Sequence, residues 1–407
     1  MSALGIIGDD LKTELPSGET VRFTHLDYAA SAPCVEAAAT AVAELLPRYG
    51  SVHRGTGVRS QTSTVAYEVA RDVVAEFAGA RPGDQVIFTR NTTDALNLLA
   101  RALPAGTTTI VFDGEHHANL LPWPNPLRLP TPASPAEARR LLEDALQAPG
   151  EKVLTVTGAS NVTGELWPVR ELADLAHAHG VRVIVDAAQL APHQPVSMSD
   201  LGADYLAFSG HKLYAPFGAG VLVGRADWLD AAEPYLAGGG ASALVGDRPG
   251  ELTWSQGPAR HEGGTPNLLG AVSLAAVCAA LLTADRDALH GHEQELLTRL
   301  RDGLRDIPEA REVSVFGPDH PRVGIVSLDL PGRDPAEVAR RLAREHGIGV
   351  RAGQFCAHPL VRSLLKTDKS GSCHTAVTGL LRASFGLGST TGDVDRFVAG
   401  LAAVLRS

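Results

Sequence analysis

The chain has 407 residues, of which 44% are hydrophobic, 20% charged and 5% aromatic, a make-up that gives a globular interior and excludes an intrinsically disordered protein. Lys and Arg total 36 against 46 Asp and Glu, for a net charge of −10. No long basic run offers a track for a phosphate backbone, so nucleic acid is not an expected partner.

The stretch after Met1 is acidic where a signal peptide is basic and lacks its apolar run, so the expected location is cytoplasmic. From His25 to about Arg225 short runs rich in Val and Ile (QVIFT, TTIVFDG, KVLTVTG, RVIVDAA, DYLAFSG, AGVLVG) alternate with helical patterns. Helices between buried strands predict an α/β domain with a mostly parallel sheet. Among those helices, 63–78 sets Val65, Val69, Val73 and Phe77 on one face, and 169–180 is amphipathic and stops at a glycine. Between Pro234 and Pro266 the pattern breaks into Gly, Pro and isolated aromatics, too long for a plain connection and suited to a loop that covers or shares a site. A helical region follows, about 268–306, whose Ala/Leu-rich part at 268–283 falls short of the roughly 20 residues that span a bilayer, so no membrane is expected. EVSVFG, RVGIVSLDL, GIGVRAG and LLRASFG then predict four strands of a second, smaller α+β domain, interrupted at 366–379 by an irregular insertion (KTDKSGSCHTAVTG). Cys34, Cys278, Cys356 and Cys373 are scattered without the paired spacing of a zinc or redox motif, and no metal is expected.

The chemistry-bearing residues gather where these strands end. In DYLAFSGHKLYAPFGAG a strand runs into Ser209-Gly210-His211-Lys212, the place where α/β proteins put ligands. Asp186 and Gln189 follow an apolar strand, where a carboxylate is costly without a positive partner; a protonated pyridine nitrogen is one such partner. Asn91-Thr92-Thr93 joins a strand to a helix and either caps that helix or binds a phosphate through backbone N–H groups. His116 and His117 follow a further strand, and either imidazole can stack on a flat ring.

With these motifs in order, from HLDYAASAP through VHRGTG, TRNTTDALN, EHHANLLPW, SNVTGE, VDAAQ, SGHKLYAPFGAG, EGGTPN and RAGQFCAHP to LLRASFG, the chain resembles the class V, fold-type I enzymes that use pyridoxal 5′-phosphate. Within them it is similar to the cysteine desulfurase and selenocysteine lyase branch of the sulfur-mobilising Suf type. The resemblance implies an N-terminal segment 1–24 packing with the small domain, a large cofactor-binding domain 25–275, and a small domain 276–407 carrying the Cys356 loop. It makes Lys212 the Schiff-base lysine, Asp186 the partner of the pyridine nitrogen, His116 the ring-stacking histidine, and Gln189 with Asn161 the groups near the ring hydroxyl. Thr92, Thr93, Ser209 and His211 become phosphate ligands, and Thr265 a phosphate contact received from the neighbouring subunit, which makes the active unit a homodimer. Arg382 is similar to the arginine that pairs with the substrate carboxylate, with Arg351 also in a matching place. Cys356 holds the position of the cysteine that attacks substrate sulfur, with His53, Arg54 and His358 as candidates to favour its thiolate.

The implied reaction turns L-cysteine into L-alanine, leaves a persulfide on Cys356 and passes the sulfur to an acceptor protein; L-selenocysteine is a related substrate. A C–S or selenocysteine lyase, a class V aminotransferase or epimerase, and a non-catalytic scaffold are the rivals. Three departures from the family pattern stand out. Asn91 replaces a usual glycine and is expected to serve because Asn tolerates a positive φ. The 366–379 insertion, with Cys373 and His374, is expected either to take part in the site or to be a disordered flap, and GLGSTTGD replaces a more polar segment after Arg382.

Overall fold

The six Val/Ile-rich runs pair as strands of one seven-stranded sheet, with the order Asp84–Thr89, Gly220–Arg225, Tyr205–Ser209, Arg182–Asp186, Lys152–Thr157, Thr108–Phe112, Pro126–Leu129. The structure is a computed structural model and describes residues 4–248, 250–365 and 379–406. Gly220–Arg225 runs antiparallel to both of its neighbours, and the other pairings are parallel. The carboxyl ends of six strands therefore lie along one edge of the sheet, where open α/β sheets bind ligands. The seventh strand, PLRL, was not legible: it starts on a proline and is half exposed, as suits a sheet edge.

Two helices depart from expectation. Val58–Ala78 does form, but its buried face is Ser60, Ser63, Tyr67, Ala70, Val74 and Phe77, while Val65 and Val69 are 63% and 54% exposed. That face, which mixes small residues with Tyr67 and Phe77, belongs to a helix packed against the mostly apolar Leu268–Thr283. The helical region expected over 268–306 is two helices, Leu268–Thr283 and Arg286–Leu304, at 92° to each other. Asp285 accepts the N–H of Ala288 and so starts the second helix afresh.

The second helix spans both cores, its Leu289 still packing with the large one. Val277, Cys278 and Leu281 pack with the large sheet, whereas Leu296, Leu297, Leu300 and Leu304 pack against the small antiparallel sheet. The boundary expected at 275/276 falls inside the helix Leu268–Thr283, and residues of that helix on both sides of the boundary pack with the large core. The small sheet has the order Arg311–Glu312, Ile325–Asp329, Leu380–Ser384, Arg351–Gly353, while Ile348–Gly349 pairs with Thr24–His25. EVSVFG stays in strand only as far as Glu312, because the N–H groups of Val315 and Phe316 turn away to the buried carboxylate of Glu165, at 2.7 and 2.8 Å. The N-terminal segment touches both sides: Arg22 pairs with Asp393 at 2.7 Å, and Ile7 and Glu36 exchange backbone hydrogen bonds with Cys34 and Gly5. Among the described residues no single helix is long and apolar enough to cross a membrane.

Candidate active site

A cavity of about 380 Å³ opens at the carboxyl edge of the large sheet. Its lining brings together twelve residues singled out from the sequence: Thr92, Thr93, His116, Asn161, Asp186, Gln189, Ser209, His211, Lys212, Arg351, Cys356 and Arg382. They come from five strand ends of the large sheet and from the small domain, which closes the cavity from above.

Lys212 sits one tight turn beyond the strand Tyr205–Ser209, its N–H on the Ser209 carbonyl at 3.3 Å. Gly210 makes the turn possible, since a Cβ there would lie 2.9 Å from the carbonyls of Ala215 and Ala219. The Lys212 amine makes no hydrogen bond among the described residues and belongs to a half-buried residue that lines the cavity. Burial pushes its pKa down to about 8; Arg382 adds to the fall, while Asp186 and Cys356 oppose it. Asp186, 4% exposed, ends its strand and accepts the Ala188 N–H at 2.9 Å; burial raises its pKa and Lys212 draws it back.

His116 accepts the Ala118 N–H on Nδ1 at 3.0 Å, which leaves the hydrogen on Nε2. Burial, then Lys212, His117 and Arg382, push its pKa down to about 3, so it is a neutral imidazole at any working pH. The residue before it, Glu115, was missed. Fully buried, it accepts the Thr157 N–H and the Asn119 side-chain amide, both at 2.8 Å, and burial with the charge of Asp186 raises its pKa to about 8. A lone acid between an apolar strand and a histidine pair was the available signal.

Thr92 opens the helix Thr92–Ala102, and both its N–H and its hydroxyl meet the Ser209 hydroxyl at 2.7 Å. Asn91 does not use a positive φ: at −172° it is extended, and its side chain caps the helix by accepting the Asp94 N–H at 3.0 Å. Gly220 presses on this turn, where a Cβ would sit 2.4 Å from the Asn91 Cα. Gln189 donates to the Ala29 carbonyl at 2.7 Å, and Asn161 donates to the Phe355 carbonyl at 2.8 Å.

Cys356 is exposed at the cavity mouth. It and Phe355 both take left-handed backbone, with φ of 53° and 50°, which costs about 1 kcal/mol or more for each such residue. The Asn161 bond to Phe355, the His117 N–H on the Cys356 carbonyl at 2.7 Å and the burial of Phe355 hold that conformation. His358 stands with its ring 4.5 Å from that of His117.

Three expected residues lie elsewhere. Thr265 lines a separate cavity beside Tyr67, Asp94 and Tyr235, and His53 with Arg54 lines another. Arg54 donates to the carbonyls of Gly239 and Gly264 at 2.8 and 2.9 Å, and His53 contacts Glu68 at 2.9 Å. Neither His53 nor Arg54 joins Cys356 within one chain. GLGSTTGD stays out of the cavity, with Thr390 and Asp393 bonded to each other at the last helix, Thr391–Arg406. Cys373 and His374 lie outside the described residues.

The donor set suits a phosphorylated pyridine. A half-buried amine without a hydrogen-bond partner among the described residues, a buried carboxylate, a neutral imidazole, and hydroxyls at a helix N-terminus share one cavity of single-ring size. This arrangement on a mostly parallel sheet with a small second domain is that of the fold-type I pyridoxal phosphate enzymes.

Comparison with known proteins narrows the class. The family model described as aminotransferase class-V matches residues 24–397. A cysteine desulfurase of Klebsiella pneumoniae (strain 342) is 36% identical over 391 residues, 93% of this chain and 92% of that protein, and one of Haloferax volcanii is 34% identical over 412 residues, 96% and 92%. Among solved structures, the cysteine desulfurase CsdA of Escherichia coli superposes with a TM-score of 0.81 at 33% identity and covers 97% of each chain. The apo cysteine desulfurase of Thermococcus onnurineus gives 0.84 at 30%, covering 100% of each. The chain belongs to the aminotransferase class-V family, in its cysteine desulfurase group.

Proposed function

We propose that this protein is a pyridoxal phosphate-dependent cysteine desulfurase that converts L-cysteine to L-alanine and carries the sulfur as a persulfide on Cys356. The observation that carries the reading is the placement of an exposed Cys356 at the mouth of the cavity that Lys212 lines from within. Lys212 would hold the cofactor, with Thr92, Thr93, Ser209 and His211 around its phosphate, Asp186 at the ring nitrogen and His116 against the ring. When bound, the cofactor supplies an electron sink for negative charge developing at the substrate Cα.

The side chains supply the rest. Lys212, already inclined to shed its proton, takes the one on Cα. Asp186 keeps a fixed negative charge where the ring carries positive charge, and His116 stays neutral and donates through Nε2. Arg382 aligns the substrate carboxylate. The Cys356 thiolate attacks the substrate sulfur: the S–S bond forms as the C–S bond breaks, the electron pair stays with the three-carbon remainder, and protonation releases alanine. The electron account closes, since the substrate carbon is reduced as the two sulfurs become a persulfide.

The acceptor is a protein that takes sulfur from an exposed loop, and the motif order from HLDYAASAP to LLRASFG favours the Suf-type branch. The active unit is a homodimer in which Thr265 completes the phosphate site of the other subunit. In support, Thr265 lies outside its own chain's cavity, and Val58, Val65, Leu244 and Val245 leave apolar surface exposed. Wild type and Cys356→Ala are compared for products from L-cysteine with reductant present. Alanine from the wild type alone supports the desulfurase; pyruvate from both at equal rates identifies a lyase.

A further inference from the structure

We infer that Asp27, which sits in the Leu26–Ala30 segment between the two domains, is a positioning residue that fixes Arg382 for the substrate carboxylate. The inference rests on the carboxylate-binding role given to Arg382 above.

The Arg382 side chain is 3% exposed and its guanidinium is held on three sides. One terminal nitrogen donates to the Asn161 carbonyl at 2.9 Å, the other to Asp27 Oδ1 at 3.0 Å, and the Phe355 ring lies 4.8 Å away beneath the plane. A guanidinium has five donors, and Nε is buried with no partner. The two anchored nitrogens fix the plane of the guanidinium on a residue that lines the cavity.

Asp27 also sets the charge. Its second oxygen is 3.7 Å from Arg351, so one carboxylate serves two arginines and leaves one positive charge over. A single substrate carboxylate brings the cluster to neutrality. Without Asp27, Arg382 would be a buried cation with only the Asn161 carbonyl and the Phe355 ring against it, and its plane would lose one of its two anchors. The Asp27 side chain makes no hydrogen bond among the described residues except that from Arg382. Its segment is tied to the site independently, by Ala29 N–H on the Ser384 hydroxyl at 3.0 Å and by Gln189 on the Ala29 carbonyl, so removing the carboxylate leaves the backbone anchored.

The test is equilibrium binding to the holoenzyme by calorimetry, using two probes: L-alanine, and cysteamine, which has the amine and thiol of cysteine but no carboxylate. Asp27→Ala weakens L-alanine by about tenfold or more and leaves cysteamine within about twofold, as expected when a charge-assisted contact is misaligned. Asp27→Asn keeps an acceptor oxygen and loses only about threefold. On L-cysteine, Asp27→Ala raises KM and keeps kcat within about threefold. Added to Arg382→Ala, Asp27→Ala weakens L-alanine by less than about twofold more. Unchanged L-alanine affinity in Asp27→Ala, or an equal loss for cysteamine, overturns the inference. If Arg382→Ala itself leaves L-alanine binding intact, it is the role of Arg382 that fails.

Discussion

Lys212 offers a sharp quantitative test, because protein groups alone set its electrostatic environment. Burial holds its pKa near 8, and Asp186 is the first influence raising it. At a pH of about 7.5 a lysine ionising at about 8 is roughly one quarter neutral amine, against about one part in a thousand for an ordinary lysine near 10.4, so the nucleophilic form is enriched ~200-fold. The perturbation is Asp186→Asn, which removes the opposing negative charge and lets the pKa fall further, by about one unit. The assay strips the cofactor, carbamylates with cyanate across pH 6 to 10, roughly the titration range of such an amine, and follows the Lys212 peptide by mass spectrometry. Reactivity should rise with a midpoint of about 8 in the wild type and lower in Asp186→Asn. A midpoint near that of an ordinary lysine, or an upward move in Asp186→Asn, refutes the electrostatic reading of the site.

Three further outcomes are expected. With its pKa at about 3, His116 shows no titration of its ring resonances between pH 5 and 9 in NMR, roughly the range where exposed histidines titrate, and a titration there contradicts its assignment as a neutral donor. Gly220→Ala drives a Cβ into the Asn91 backbone, so cofactor affinity by equilibrium dialysis drops about tenfold or more; an unchanged value means that the turn is not held by that contact. Glu165→Ala strips two backbone N–H groups of their acceptor and removes one of the two carboxylates beside buried Arg322. Stability by urea unfolding should fall by about 3 kcal/mol or more, whereas a loss under about 1 kcal/mol would show that Glu312 alone suffices for Arg322.

What the sequence revealed and what it hid have separate physical causes. Buried strands write themselves as apolar runs, so six of the seven could be seen, the antiparallel Gly220–Arg225 among them, and residues at the ends of the five parallel ones could be placed on one edge of the sheet. PLRL carries no such signature, because an edge strand need not be apolar. The inner face of the 58–78 helix was not legible from its apolar residues, because Ser60, Ser63 and Ala70 are buried beside Tyr67 and Phe77 while Val65 and Val69 point outward. No local pattern separates one long helix from two joined by a capped right angle at Asp285. Motifs picked out the twelve residues that share one cavity, but they did not show that Thr265, His53 and Arg54 line other cavities of the same chain. Glu115 and Asp27 escaped notice because each acts on a neighbour, through contacts that only the folded chain brings together.

The most direct test of the account is to mix enzyme with one equivalent of L-cysteine, alkylate at once without reductant, and read the peptide that contains Cys356. The account predicts one additional sulfur atom on Cys356, appearing in step with alanine and discharged by a thiol. Alanine formed with no sulfur on Cys356, or with sulfur only on another cysteine, would contradict it.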